Sequence, residues 1–317
     1  MNYKSINNIT GWVVCIIACA VYIMTMEATG SLWDCGEFAS CAYKLQIPHP
    51  PGAPLFVLIG RLFMVPFDAQ HAATGVNLMS ALSSGFTILF LFWSITHFAK
   101  KLVLKNSTNG ELNGNEIFGI MSAGAVGALS YTFSDTFWYS AVESEVYALS
   151  SFFTAIVVWA ILKWENAVTE EQKQGITGHF TGADRWLILI FYLMGLSIGV
   201  HLLNLLTIPA MVMVYYFKRY KVTTWGGIIA FVIGCVITGI VQKFVIQYSI
   251  KGAGAFDVIF VNDFSLPFFS GFAFFFLLVA VLIHFGLRWA NNNNWNFLKL
   301  SLWSFSFMLI GYSSYLT

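Results

Sequence analysis

Two carboxylates, a histidine and four prolines follow directly on the first long apolar run of the chain, in Trp33-Asp34-Cys35-Gly36-Glu37-Phe38 and Pro48-His49-Pro50-Pro51-Gly52-Ala53-Pro54-Leu55-Phe56. Only 10% of the residues are charged, so carboxylates gathered in one place point to chemistry. Asp34 and Glu37 are of the type that takes a proton from an attacking hydroxyl or holds a divalent cation. A second acidic group, Asp135, Glu143 and Glu145, lies between two later apolar runs, in residues 134–147. His49 stands between Pro48 and Pro50, whose fixed φ restricts how the imidazole is presented, and His201 sits where a loop meets an apolar run. Ionisable groups at membrane depth are candidates for function.

Plain structural roles compete with these readings. Asp34-Cys35-Gly36-Glu37 and Ser140-Ala141-Val142-Glu143 both have the spacing of a capping box, in which the side chains start a helix. Asp135 also suits a turn, whereas Glu145 has no such role. His71 and His97 read as satisfied polar groups. The five cysteines show no metal-ligand spacing; Cys15, Cys19 and Cys235 lie in apolar runs, and Cys35 and Cys41, six apart on a helix, face different ways and are not expected to bridge. No glycine-rich phosphate loop, G-x-S-x-G, H-E-x-x-H or C-x-x-C occurs, which removes support for nucleotide hydrolysis, acyl hydrolysis and zinc proteolysis.

The elements that must position these groups are helices in a membrane. Hydrophobic residues make up 58% of the 317 and mean hydropathy is +0.72, against about 25% charged residues in soluble domains. The expectation is an all-α, polytopic single transmembrane domain over residues 1–317. Spans are placed near residues 11–28, 75–99, 116–133, 146–164, 186–201, 203–217, 224–246, 266–287 and 295–316, about nine in all. The first reads as a retained signal anchor. The chain stops at Thr317 at the end of an apolar run, which fits the N-terminal part of a longer polypeptide.

Positive charge orients the bundle. With the N-terminus inside, the inner segments hold Lys4, Lys100, Lys101, Lys105, Lys163, Lys173, Arg185, Lys218, Arg219, Lys221 and Arg288, and the outer ones only Lys44, Arg61, Lys243 and Lys251. Counting residues 53–67 as a further span would invert every later loop. That stretch is therefore expected to lie along the outer surface. Residues 29–74 become one outer loop of two surface helices, the first starting at Asp34, and the carboxylates of both groups fall on the outer side. The loops 100–115 and 165–185 read as solvated connections without chemistry, and Ser122–Ala128 as a stripe of small residues for close helix packing.

Four motifs taken together resemble a known family. Trp33-Asp34-x-Gly36-Glu37-Phe38, His49-Pro50-Pro51-Gly52-x-Pro54-Leu55-Phe56, Val142-Glu143-x-Glu145-Val146-Tyr147-x-Leu149 and Gly195-Leu196-x-x-Gly199-x-His201-Leu202-Leu203-Asn204-Leu205 are similar to the membrane family DUF2723, abundant in Bacteroidetes, which includes transmembrane protein O-mannosyltransferases. The resemblance runs from the first span to about residue 215. It implies a GT-C glycosyltransferase fold with the site beneath the first outer loop of a bacterial inner-membrane protein, facing the periplasm. The implied reaction moves a mannose-like hexose from a polyprenyl-phosphate donor to a hydroxyl of an exported protein, by inverting single displacement. Asp34 then maps to the base and Glu37 to its companion, with His49, Arg61 and His201 as candidate donor-phosphate holders and Asp135, Glu143 and Glu145 as the acidic second loop. No cofactor is required on this reading, a divalent metal is an open option, and no nucleic-acid partner is expected. The competing class is a transporter or flippase of a lipid-linked or small polar substrate; carboxylates clustered at one face, with spans nearly free of charge, favour the transferase.

Overall fold

A computed structural model describes residues 2–106 and 110–316, and all regular structure among these residues is helical. Residues 107–109 of the first expected inner loop lie outside the described residues. Among the described residues five helices are long and apolar enough to cross a bilayer, and six if the pair Gly114–Thr132 and Asp135–Val142, bent by 67°, counts as one span. The chain is a multi-pass membrane protein. It divides into two compact units: one holds the residues up to Leu162 with Leu196–Asn204 and the stretch from Tyr312, the other Lys163–Gly195 and Leu205–Gly311.

The first unit is built on α1 (Tyr3–Thr25), α4 (Ala72–Asn106) and α5 (Gly114–Thr132). Its core gathers Val14, Ala18 and Tyr22 of α1 with Ala81, Ile88 and Phe92 of α4 and Ile120, Met121 and Ala128 of α5. Small residues let these helices touch. A Cβ on Gly85 would fall 2.1 Å from Cys19 Sγ, and one on Gly124 2.5 Å from a Thr96 methyl, so the small-residue stripe does the packing its composition promised. Tyr22 Oη donates to the Thr132 carbonyl at 2.9 Å and fixes α1 against the end of α5. Beyond that end the chain bends into α6 (Asp135–Val142), whose Phe137, Ala141 and Val142 join the same core.

The first loop forms as expected, with two short helices, α2 (Cys35–Lys44) and α3 (Pro54–Met64). Their 10 and 11 residues fall far short of the roughly 20 that cross a bilayer. Each buries one stripe: Cys35, Phe38, Ala39, Cys41 and Ala42 in α2, and Phe56, Val57, Gly60 and Met64 in α3. Gly75 in the first turn of α4 admits the end of α3, since a Cβ there would meet the Phe63 carbonyl at 2.7 Å.

The second unit departs from the sequence reading in two places. The span expected to end near residue 246 continues from α10 (Thr224–Ile240) through a π-helical segment (Val241–Tyr248) into α11 (Ser249–Asn262). No proline interrupts residues 210–266, so nothing local stops the helix. Asp257 of α11 then caps α12 (Ser270–Asn292), accepting the backbone N–H of Gly271 at 3.1 Å and of Phe272 at 3.3 Å.

The loop expected at 165–185 is not simply solvated. α7 (Val146–Lys173) runs far into it, and Asp184 is buried at the start of α8 (Arg185–Ile198). There Asp184 accepts Trp164 Nε1–H at 2.9 Å, Arg219 Nη2–H at 2.9 Å and the Thr181 N–H at 2.9 Å. Arg219 ends α9 (Thr207–Arg219), and this ion pair is 3% and 1% exposed at its side chains. The last helix is α13 (Asn296–Tyr312). The helices α8, α9 and α13, counted among nine spans by hydropathy, have 14, 13 and 17 residues.

Candidate functional site

The start of α2 brings the first motif together with the proline turn. Asp34 occupies the N-cap position with φ −81° and ψ −6°, yet its side chain makes no cap hydrogen bond. Its expected box partner looks elsewhere: Glu37 Oε1 accepts the His49 N–H at 2.6 Å, and Glu37 Oε2 lies 3.0 Å from His49 Nδ1. The capping box is absent, and Asp34 is left half-buried with its carboxylate uncommitted to the helix. His49 is held from both sides. Its ring packs on Phe38 with centroids 5.6 Å apart, and its carbonyl accepts the Gly52 N–H at 2.9 Å in a turn containing a cis Pro50–Pro51 bond, where Gly52 takes φ +78°. Tyr315 Oη ties the turn down by donating to the Gly52 carbonyl at 2.9 Å.

The second acidic loop meets the first through Cys35. Its Sγ lies 3.2 Å from Glu143 Oε2 and 3.8 Å from Glu145 Oε1, so both glutamates stand beside the residue that follows Asp34. The second capping box is also absent, because Ser140 lies inside α6 and donates to the Thr136 carbonyl at 3.2 Å, while Glu143 follows the helix at its C-cap. A buried network holds the two loops in register. Ser144 donates its hydroxyl to Asn77 Oδ1, and Asn77 Nδ2 donates to the carbonyls of Glu27 at 2.8 Å and Thr29 at 3.1 Å. Glu27 in turn donates its N–H to the Val142 carbonyl at 3.1 Å.

His201 joins from the stretch after α8. Its Nδ1 accepts the Leu203 N–H at 3.2 Å, which puts the ring proton on Nε2, and its ring lies 5.4 Å from Tyr147, two residues beyond Glu145. Two expected members stay apart. Arg61 Nη1 donates to the Tyr43 carbonyl at 3.0 Å and its guanidinium packs on the Tyr43 ring, nine residues and so about 13 Å along α2 from Asp34. Asp135 begins α6, about 12 Å along that helix from Glu143, and is exposed.

The cluster has one sign. His49 is held above its usual pKa first by the Glu37 hydrogen bond and then by the charges of Glu37, Asp34 and Glu145. Glu37 is lowered by the same hydrogen bond. Burial raises Glu145, with the charges of Asp34 and Glu143 adding to it, and burial with the Glu143 hydrogen bond pushes the Cys35 thiol up to about 12, which makes it a structural donor and not a nucleophile. The contribution of His49 to stability is complete below its unfolded pKa of about 6.5 and is lost as pH rises through its higher folded value. That of Glu37 is present above about 4.5 and is lost as pH falls through its lower folded value, so the clamp is strongest between the two. The imidazole of His49, followed by NMR, is therefore expected to titrate above 6.5 in the wild type and to move down in Glu37→Gln; a midpoint unmoved by that change would separate the two residues.

Asp34, Glu37 and His49 each offer a ligand atom, all within 4.8 Å of one another. Two carboxylate oxygens and one imidazole nitrogen form a donor set that suits Mg²⁺, Mn²⁺ or Zn²⁺. Sequence reasoning did not find Asn77, Ser144 or the bridging role of Cys35. The one visible signal was a carboxamide in a long apolar run, and nothing local says what it bonds.

Comparison with known proteins adds the family. A family model described as the protein O-mannosyl-transferase TMEM260 N-terminal domain matches residues 34–224, which takes in the acidic loops, the proline turn and His201. The protein O-mannosyl-transferase TMEM260 of Mus musculus is 26% identical over 157 residues, covering 50% of this chain and 20% of that protein. The protein O-mannosyl-transferase tmem260 of Dictyostelium discoideum is 24% identical over 208 residues, covering 65% of this chain and 22% of that protein. The chain thus spans about a fifth of the length of the curated relatives it matches. No solved structure matches it. The match bears out the O-mannosyltransferase side of the resemblance and carries no DUF2723 designation. With more than half of its length under that model, the chain belongs to the family of the protein O-mannosyl-transferase TMEM260 N-terminal domain.

Proposed function

We propose that this chain is a GT-C-type glycosyltransferase domain that moves a mannose-like hexose from a polyprenyl-phosphate donor to a hydroxyl of an exported protein, with inversion. The observation that carries the reading is the convergence of two acidic loops on Asp34, whose carboxylate is released from capping while its neighbours are held by hydrogen bonds. Asp34 takes the acceptor proton as the hydroxyl oxygen attacks the anomeric carbon, and the lipid phosphate departs with the bonding pair. A phosphate needs no strong acid to leave. His201, with its ring proton on Nε2, is suited to hold an oxygen of that phosphate. Glu37 and His49 set the turn, and a divalent cation held by the Asp34 trio would offset the negative charge there. The relatives named as O-mannosyl-transferases support the sugar and the protein acceptor. The test is transfer of labelled mannose by the purified full chain from a panel of polyprenyl-phosphate and nucleotide sugars to a secreted acceptor, with and without added Mn²⁺. Product of inverted configuration from a lipid donor is expected; no transfer together with substrate uptake into vesicles would make the protein a transporter.

The same reading requires the N-terminus inside, residues 29–74 outside, and nine spans of a bacterial inner membrane, with the site toward the periplasm. The lysine and arginine distribution supports it. An impermeant thiol reagent added outside is expected to label a cysteine placed at Gln70–Thr74 and to miss one at Asn109; the opposite pattern would turn the site inward.

A further inference from the structure

The three most exposed large apolar side chains among the described residues all lie next to the candidate base: Leu32 is 88% exposed, Trp33 90% and Ile47 89%. Even the apolar side chains along the long helices are less exposed than these. Leu32 and Trp33 directly precede Asp34, and Ile47 comes two residues before His49. Because Asp34, Glu37 and His49 offer ligand atoms within 4.8 Å of one another, the two apolar segments flank one small acidic site. Trp33 also has a left-handed backbone, with φ +69°. A bulky residue seldom takes that region, and such strain gathers at functional sites. Nothing within the unit offsets it, since the indole buries almost none of the roughly 150–250 Å² that an aromatic side chain covers elsewhere.

The chemistry of the site selects the occupant. In an inverting displacement the attacking hydroxyl and the departing phosphate lie on opposite sides of the anomeric carbon, and Asp34 serves the hydroxyl. Residues beside Asp34 in the chain therefore face the acceptor. The charge of Glu143, held next to Cys35, remains even with a divalent cation on Asp34, Glu37 and His49, so a basic segment is favoured there. Lipid is the poorer occupant. Asp34 follows Trp33 by one peptide, about 3.8 Å between Cα atoms, and Glu37 is exposed, so an indole sunk in hydrocarbon would draw carboxylates with it. We propose that Leu32, Trp33 and Ile47 form the docking surface for the acceptor polypeptide. They select a serine or threonine with a large apolar side chain within two residues, roughly 7 Å of extended chain, and a lysine or arginine nearby. This rests on the transferase reading above and adds to it the class of acceptor.

The test is binding and transfer with labelled acceptor peptides on the purified full chain in nanodiscs. The peptides share one threonine, flanked by leucine and lysine, by leucine and glutamate, or by glycine alone. Without donor, fluorescence anisotropy is expected to show the leucine–lysine peptide binding about tenfold tighter than either of the others. Trp33→Gly suits the positive φ, so it should hold the thermal midpoint while weakening that peptide about tenfold and raising acceptor KM more than it lowers kcat. Ile47→Ser should act in the same direction, and Trp33→Phe should keep most of the affinity. Equal binding of all three peptides, or affinity untouched by Trp33→Gly, would overturn the docking surface. Equal binding of the lysine and glutamate peptides would strike the basic residue from it. Quenching of Trp33 emission by brominated lipid tails, read as wild type minus Trp33→Phe, would place the indole in the bilayer and also overturn it. Trp33-dependent binding without sugar transfer from any donor would keep the surface and overturn the transferase reading, whereas transfer indifferent to the peptide flanks would do the reverse.

Discussion

Asp34→Asn is expected to lower sugar transfer by about 10²- to 10⁴-fold with little change in fold. The side chain makes no cap hydrogen bond, and asparagine is as good at an N-cap as aspartate, so the helix start does not depend on the charge. What asparagine cannot do is accept the acceptor proton. If Asp34 acts only by proton transfer, kcat falls while the thermal midpoint holds. Glu37→Gln, which leaves Asp34 in place but weakens the His49 clamp, should act on donor KM more than on kcat. The measurement is transfer by purified full-length variants under saturating donor. Wild-type rates in Asp34→Asn would remove this residue from the chemistry and move the search for a base to Glu143 or Glu145.

Asp184→Leu is expected to cost about 3–5 kcal/mol of stability, far more than any change in the exposed acidic loop. The loss leaves the Arg219 guanidinium buried over the Trp164 ring with Thr181 Oγ1 at 3.0 Å as a hydrogen-bond acceptor and no countercharge from Asp184, and strips Trp164 Nε1 of its acceptor. Removing both charges in Asp184→Leu/Arg219→Met should recover much of that cost, because a buried pair is weak evidence for stability while an orphaned buried charge is strongly unfavourable. Denaturation of the two variants in the same detergent measures the difference. A double variant less stable than Asp184→Leu alone would mean that Arg219 is held by something other than its charge.

Asp184 and Arg219 also mark where sequence reading stops. A loop rich in Asn, Gly, Thr and Glu reads as solvated, and a lysine–arginine pair at a helix end reads as a topology signal. Burial of one member of each depends on α7 and α9 lying side by side, which no local pattern encodes. The same holds for the cap residues. Spacing identifies Asp34 and Glu37, or Ser140 and Glu143, as possible partners, but a side chain bonds to whichever donor the fold brings nearest. Glu37 met His49 across the proline turn, and Ser140 fell inside α6 and bonded its own helix.

By itself the sequence determined the class and the layout of the first loop. Long apolar runs with few charges have no option but membrane helices, since every backbone polar group must be satisfied within the chain, and proline at residues 48, 50, 51 and 54 divides the stretch from 29 to 74 into two helices too short to span. It also determined that acidic residues would gather after the first run and before Val146. Only the tertiary structure decided which of them meet. Cys35, Asn77 and Ser144 draw Glu143 and Glu145 to Asp34 through contacts between residues 67 to 110 apart in sequence, while Arg61 and Asp135, equally eligible by type, end at the far ends of α2 and α6. The physical reason is that helix periodicity determines the face a residue takes within about two turns, whereas long-range pairing is settled by which faces pack, and in this chain that is the work of α1, α4 and α5.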